Sequence, residues 1–552
     1  MGVREVAPAL VLLNARVLTQ DGARPLADAV AVAGGRVRAL GADAVAAARA
    51  QAPARVVDLQ GATVTPGLVD AHTHPTLSLA ATRGCDLNGC RDLVEVERCL
   101  RADAARAEDD GWVLGWGLDP SVFGTAPLTG AVLDRVAPDR PALVHLFDGH
   151  AALANRAALR RAGVTGARRF ASTAAVVVDD DGVPTGLLAE PDAVALVTAV
   201  LPVEPSAVRL DRLADLLARM AATGLTGGHV MDCSDDTLDL VAALEQAHRL
   251  PLRLRIAPWC GPGDVPAGPV RPASLAALLG TQGDGGRLWE VAGVKLFLDG
   301  TVDGGTAWLD RPDCLGASRA SYWPDPARYA EVVGALHRAG VPTATHAIGD
   351  AAVRFALDVL AAQPPVSGLR HRIEHLETLP DDQVDRFARS GVAASMQPTH
   401  ATDHVRADAS DNWSRRLGPT RAGRGWRCAD VLRTGAVLAL GSDWPVAPFD
   451  PRLTLAAAQT RRPARRPARR PDLAPVQPEQ ALPAAEALWA HTVGPAAATA
   501  RDDRIGRVVV GQRADLTVWA DDPTRVGAVD LPDLPVLATV VDGVVRHDRL
   551  PG

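Results

Sequence analysis

One amino acid is nearly missing from this chain of 552 residues: of its 58 strong bases a single one, Lys295, is lysine and every other is arginine. A chain this long ordinarily carries on the order of two dozen lysines or more. Abundant alanine, arginine, proline and glycine fit a high-GC coding sequence, which explains the scarcity but not the position of the survivor. Cysteine is also sparse. Seven cysteines, an odd number without repeating spacing, exclude a disulfide framework and read as reduced thiols of a cytoplasmic protein. Cys85, Cys90 and Cys99 lack the C-x-x-C spacing of a structural zinc site. No stretch approaches the 18 or so apolar residues of a membrane span, and the run Ala9–Leu13 is too short for an export signal. A formal net charge of -7 argues against a nucleic-acid binder. Hydrophobic residues at 47% and charged residues at 22% leave room for a sizeable core and exclude global disorder.

The first 65 residues read as short strands with glycine turns, Gly34-Gly35 marking a hairpin. A similar texture returns over 501–552, so both ends are expected to close into one small β-sandwich. Residues 66–446 alternate buried-strand runs (VAGVKLFL, VPTATHAIG, LRHRIEHL, GVAASMQP, AVLALGSD) with amphipathic helices. Asp325, Pro326 and Gly340 punctuate one helix, with Tyr329, Val332, Val333 and Leu336 on one face. Another, over 206–222, spaces Leu210, Leu213, Leu217 and Met220 helically. The expected fold class is therefore α/β, a (β/α)8 TIM barrel whose site lies at the C-terminal rim. About 130 residues separate the first barrel strand from helix 206–222, far more than a usual βα loop. They predict an insertion, 76–205, over the barrel mouth. Residues 447–500 read as further helices, interrupted by the basic, proline-rich stretch 461–471. Its prolines forbid a continuous helix, and a solvated loop is expected.

The chemistry concentrates at strand ends. In PGLVDAHTHP, 66–75, His72 and His74 stand at i and i+2 after an apolar run. Alternation puts both imidazoles on one face, about 6.6 Å apart along the strand, where they can converge on one metal ion. Lys295, His346, His375 and Asp443 each close a later strand-like run. Singly each would suit a structural role, but together they ring one barrel rim. His371, four residues before His375 and about 13 Å away along the strand, falls towards the barrel bottom. His248, His337, His491 and His547 fit structural roles, while His145, His150, His229, His400 and His404 stay open as site residues. Asp350 is expected to cap the helix after His346.

These motifs resemble the amidohydrolase superfamily, in particular the amidohydrolase family 3 branch that includes N-substituted formamide deformylases. The similarity runs through PGLVDAHTH, FDGHAALANRAAL, GVPTGLLAE, GVKLFLDGT, THAIGDAA, RIEHLE, GSDWPV, DPRLTLAAAQTRR and RIGRVVVGQRADLTV. It implies a (β/α)8 barrel, a composite sandwich and a two-metal centre. Carried over, His72, His74 and Asp443 would hold the more buried ion, His346 and His375 the more exposed one, and Lys295 would bridge them as its carbamate. Imidazoles and carboxylates suit zinc. Two such cations about 3.5–4 Å apart can share a water and polarise a carbonyl. Carbamate formation needs a neutral amine, which burial favours, and guanidinium cannot take that part. Asp443 would serve as general base and then general acid. The glycine pair in LFLDGTVDGGTAW departs from many relatives, which carry serine or arginine there. Arg513 stands where lysine is common nearby.

The expected activity is hydrolysis of a C–N amide bond in a small molecule by a cytoplasmic homo-oligomer, a dimer, with no nucleic-acid or membrane partner. Trp116, His150, His229 and His400 are candidate substrate contacts, and Trp112 and Phe147 could also line an apolar pocket. A deaminase on the same barrel would carry a glutamate three residues after the fifth-strand histidine, where Gly349 stands. A relative that lost catalysis would show gaps in the ligand set, and all six positions are filled.

Overall fold

The computed structural model describes residues 10–50, 55–105, 111–233, 236–265, 268, 270–464 and 473–551. Its centre is built from eight short strands: β1 (Leu68–Thr73), β2 (Leu225–Val230), β3 (Arg253–Ile256), β4 (Val294–Phe297), β5 (Thr343–Ala347), β6 (Arg372–His375), β7 (Ala393–Met396) and β8 (Leu438–Leu440). They form two parallel arcs. One has the order Trp289–Val291, β3, β2, β1, and the other Trp259–Cys260, β4, β5, β6, β7, β8. A parallel bridge between Thr73 and Trp444 brings β1 beside the segment after β8. On the other side Lys295 N–H donates to Pro258 O at 2.8 Å and Ala292 N–H to Ile256 O at 2.9 Å. Strands β1, β2, β5, β6, β7 and β8 are buried along their whole length, as parallel strands covered on both faces must be.

The helices between them follow the punctuation in the sequence. Helix Pro326–Arg338 starts at Asp325, whose carboxylate accepts from Ala327 N–H, and buries Tyr329, Val332, Val333 and Leu336. Gly340 follows it with φ +74°, the left-handed stop that glycine adopts without a Cβ clash. Helix Ser206–Ala222 buries Leu213, Leu217 and Met220. Asp350 departs from its expected role: the helix begins at Asp350 itself, Gly349 is the cap, and the Asp350 carboxylate instead accepts from Asp310 N–H at 2.8 Å.

Strands from both ends of the chain pack together. Arg36–Leu40, Val30–Ala33, Leu10–Leu13 and Arg55–Asp58 form a four-stranded sheet. Thr63–Pro66, Arg16–Leu18 and Leu26–Ala27 join Leu516–Trp519, Val536–Val541 and Val544–Asp548 in a six-stranded one. Leu12, Val32, Val64, Leu516 and Val540 share one apolar core between them. The Gly34-Gly35 hairpin forms, with φ +57° and +74°. Between β1 and β2, residues 85–189 build a separate six-stranded sheet, Ala175–Val178, Pro184–Ala189, Ala151–Ala154, Ala142–Leu146, Val113–Leu118, Cys85–Asp86.

The basic stretch 461–471 is not uniformly solvated. Arg461 is fully buried and its Nε–H donates to Val476 O at 2.9 Å, because the chain returns over the end of helix Pro451–Thr460. The remainder of that stretch from 465 lies outside the described residues. Among the described residues, no helix is long and apolar enough to cross a membrane.

Candidate metal centre

All six residues singled out at strand ends meet in one place. Lys295 Nζ lies 3.3 Å from His72 Nε2. Asp443 Oδ1 stands 3.5 Å from His72 Nε2 and 3.1 Å from His74 Nε2, and its Oδ2 is 3.8 Å from His375 Nδ1. Ring centroids are separated by 4.7 Å for His72–His375 and 4.4 Å for His346–His375. One ligand atom each from His72, His375 and Asp443 lie within 4.8 Å of one another, close enough for one ion.

Local backbone explains how the strands deliver these groups. On β6, Ile373 packs into the apolar core beneath the helices, so strict alternation would turn His375 the same way. His375 instead has φ +74° and Asp443 φ +57°, both left-handed conformations that cost energy for residues other than glycine. Hydrogen bonds hold them there: Asp443 N–H donates to His72 O at 2.7 Å and Leu376 N–H to Ala347 O at 3.2 Å. Asp70 fixes the other side of the junction. Its Oδ1 accepts from His72 N–H and Ser442 N–H, and its Oδ2 accepts from the Ser442 hydroxyl at 2.5 Å. Gly441 is required beside it, because a Cβ there would lie 2.5 Å from His72 N.

A ring of partners orients the imidazoles. Glu374 Oε2 accepts from His72 Nδ1 at 2.7 Å, and Arg372 clamps the same carboxylate. Gly300 O lies 3.1 Å from His346 Nε2, Gln397 Oε1 3.0 Å from His375 Nδ1, and Asp232 Oδ1 3.3 Å from His74 Nδ1. Such partners fix the tautomer of a metal-bound histidine. Sequence reasoning overlooked Asp70, Glu374, Gln397 and Asp232. The acid in DAHTH and the glutamate beside His375 were visible as residue types, but their partners lie on other strands.

Burial and charge set the protonation states. Burial, with the Lys295 charge nearby, lowers His72 to about 4; burial and neighbouring positive groups push His346 and His375 well below the ordinary imidazole value. Burial lowers Lys295 to about 8 against the pull of Glu374 and Asp443. Burial would also lower His74, but Asp232 and Asp443 outweigh it and raise the imidazole to about 9. Against the cost of burial, His72 and His74 hold the Asp443 carboxyl well below its usual range.

The donor set fits divalent ions. With its Nδ1–H given to Glu374, neutral His72 presents an Nε2 lone pair towards both the Asp443 carboxylate and the Lys295 nitrogen. The His72 lone pair faces the Asp443 carboxylate in a buried site, an arrangement that a cation between them satisfies, and neutral imidazole with carboxylate is the set zinc prefers. His400 Nε2, buried without a hydrogen-bond partner, lies 3.9 Å from Asp443 Oδ2.

The cluster opens into a cavity of about 740 Å³, lined mostly by apolar groups. Trp116 and Phe147, from the 85–189 segment, line it with Trp259 and Phe297. Trp116 packs edge-on against Trp444, the neighbour of Asp443, with centroids 5.9 Å apart. His150 lines the same cavity, its Nδ1 2.9 Å from Glu190 Oε2 and its ring 4.9 Å from His346. His400 lines a smaller adjoining cleft with His404. His229, expected among the substrate contacts, does not line either space; its Nδ1 accepts from Arg372 at 2.7 Å. His371 lies away from the cluster, bonded to His337 and Thr343.

The chain is 27% identical to an N-substituted formamide deformylase of Arthrobacter pascens, covering 98% of both sequences. It is also 27% identical to the Arabidopsis thaliana protein LONG AFTER FAR-RED 3, over 97% of this chain and 91% of the relative. Among solved structures, an uncharacterized metal-dependent hydrolase from Pyrococcus horikoshii superposes with a TM-score of 0.70 at 24% identity, covering 94% of this chain and 99% of the other. A mutant of the atrazine chlorohydrolase TrzN from Arthrobacter aurescens, complexed with zinc and atraton, superposes at 0.55 with 16% identity, covering 98% and 95%. Residues 55–547 match the amidohydrolase family, a span that carries every residue of the cluster, and the chain belongs to that family.

Proposed function

We propose that this chain hydrolyses a C–N amide bond of a small formamide, N-acyl amine or cyclic amide, using two divalent ions, zinc foremost. The observation that carries the reading is the convergence of His72, His375 and Asp443 within 4.8 Å, with the only lysine of the chain 3.3 Å from His72. His72, His74 and Asp443 would hold one ion, His346 and His375 the other. Lys295 would join them as a carbamate, formed when its neutral amine attacks carbon dioxide and loses a proton. Burial that lowers this amine to about 8 supports that step near neutral pH. Bound there, the ions would polarise the scissile carbonyl and acidify water. Asp443, held ionised by its histidine neighbours, would accept the proton of the attacking water and deliver it to the departing nitrogen. Trp116 and His150 would contact the substrate in the cavity, and His400 would lie beside Asp443 from the adjoining cleft. We read the two arcs as one eight-stranded (β/α)8 barrel and the terminal sheets as one composite sandwich.

The deaminase alternative fares worse on geometry. Any Cβ at position 349 would stand 2.0 Å from Trp308 O, so no glutamate fits where a deaminase would carry one. The deciding experiment is a mass-spectrometric screen of zinc-loaded protein against N-formyl, N-acyl and cyclic amides. Amine and acid products that vanish in the Lys295→Ala variant are expected. Ammonia released from aminated heterocycles, with every amide left intact, would overturn the proposal.

A further inference from the structure

At the opposite end of the strands from the metal cluster lies a second cavity, of about 130 Å³. Its walls come from the starts of β1, β2 and β3, from 286–290 and from the segment after helix Val493–Ala498. Arg253, Arg255, Arg287, Arg501, Arg504 and Arg513 all line it. Four carboxylates oppose these six cations. Asp515 takes Arg253 at 2.8 Å, Asp542 takes Arg287 and Arg513, and Glu290 is shared between Arg255 at 3.0 Å and Arg501 at 2.9 Å. Among the described residues Arg504 pairs with the exposed Asp503, at 3.5 Å. The Arg255 side chain is only 15% exposed, so the surplus positive charge is not simply dissolved in solvent. Burial, and after it the neighbouring Arg501, lower this guanidinium to about 10 against the pull of Glu290.

A chain of contacts joins this cavity to the metal cluster. Arg255 pairs in register with His229 across β2 and β3, and both also line a narrow gap shared with Arg372. Arg372 donates to His229 Nδ1, leaving His229 Nε2–H as a donor, and the same guanidinium holds Glu374, which orients His72. His229 therefore belongs to this end of the molecule.

We infer that the arginine-lined cavity is a binding site for a small phosphate-type oxyanion, separate from the catalytic cavity. Planar guanidinium groups suit such oxygens through paired hydrogen bonds. The volume is several times the roughly 10–15 Å³ that a water needs, which admits a phosphate or a short phosphomonoester.

The test uses the full chain and reads binding, so it stands or falls independently of the amide reading. Inorganic phosphate and glycerol 3-phosphate are titrated by calorimetry at constant ionic strength, with chloride as control, into zinc-loaded and chelator-treated protein. Saturable phosphate binding is expected in both forms, weakened at least tenfold by Arg255→Gln and by the double variant Arg501→Gln/Arg504→Gln. The second pair is 38% and 69% exposed, which protects the test against a folding failure of the first. Tighter binding of the ester would identify a phosphorylated metabolite as the ligand, and equal or weaker binding would identify free phosphate. Binding that disappears on chelation but survives the arginine variants would assign the anion to the metal centre and overturn the inference, as would no binding above chloride.

Discussion

Replacing Glu374 with glutamine probes the metal centre without touching a proposed ligand. The carboxylate is fully buried, and its Oε2 accepts from both Arg372 and His72 Nδ1 at 2.7 Å. The amide keeps the shape and an acceptor oxygen but removes the charge that balances buried Arg372. Removing one partner of a buried ion pair costs about 3–5 kcal/mol, because the other charge is left uncompensated. The loss of stability should therefore fall in that range, read from urea unfolding of metal-free protein at neutral pH. Its pH dependence has a definite sign. Against the cost of burial, Arg372 and His72 hold the Glu374 carboxyl well below its ordinary 4.5. Its contribution is present above the unfolded value and fades as the pH falls towards the folded one. The gap between wild type and variant should thus narrow below about pH 4.5 if both remain folded. Zinc affinity should drop by about 10–100-fold, as for other partners that orient metal-bound histidines. A chelator-competition titration measures this. A variant within 1 kcal/mol of wild type and with unchanged zinc affinity would refute the linkage of Arg372, Glu374 and His72.

Other perturbations separate the roles of neighbouring groups. Lys295→Ala should lower amide hydrolysis by at least about a hundredfold, the upper end for outer partners, with partial rescue by short carboxylic acids; full activity would sink the bridging role. Gly441→Ala would press a Cβ to 2.5 Å from His72 N and 2.8 Å from Asp70 Oδ1, so stability should fall by about 1–3 kcal/mol with weaker zinc binding. Unfolding and chelator titrations read both, and a neutral result would contradict the close junction. A proton and an ion compete for His74 Nε2, so zinc affinity should rise with pH towards the imidazole's value of about 9. A flat profile between pH 6 and 9 would rule this out. Trp116→Ala, which opens the cavity beside Trp444, should raise KM for amides with bulky apolar groups more than for formamide itself, measured by steady-state kinetics; equal effects on both would place Trp116 outside the substrate's path.

The sequence alone determined much of this site because its information is local. Apolar runs ending in polar residues located β1, β5, β6 and β8, whereas Lys295 is the second residue of β4 and His74 stands just past the end of β1. A lone lysine in an arginine-rich chain marked position 295 before any fold was known. Caps at Asp325 and Gly340 and the Gly34-Gly35 hairpin were equally legible, since each depends on a few adjacent residues.

What only the tertiary structure decided is which side chains from distant strands face one another. Glu374 reaches His72 across 302 positions of sequence, and no local pattern encodes that meeting. Alternation would have turned His375 towards the helices with Ile373, and the left-handed backbone that redirects it is imposed by its surroundings. His229 has the residue type and strand position of a site histidine, yet Arg372 draws it into the charged layer beneath the candidate ligand cluster. The six arginines around the far cavity come from segments spread between positions 253 and 513. Residue type and spacing specify what chemistry a strand end can offer. Packing of the strands against one another selects which offers are combined, because contact depends on distance in space and alternation records only distance along one strand.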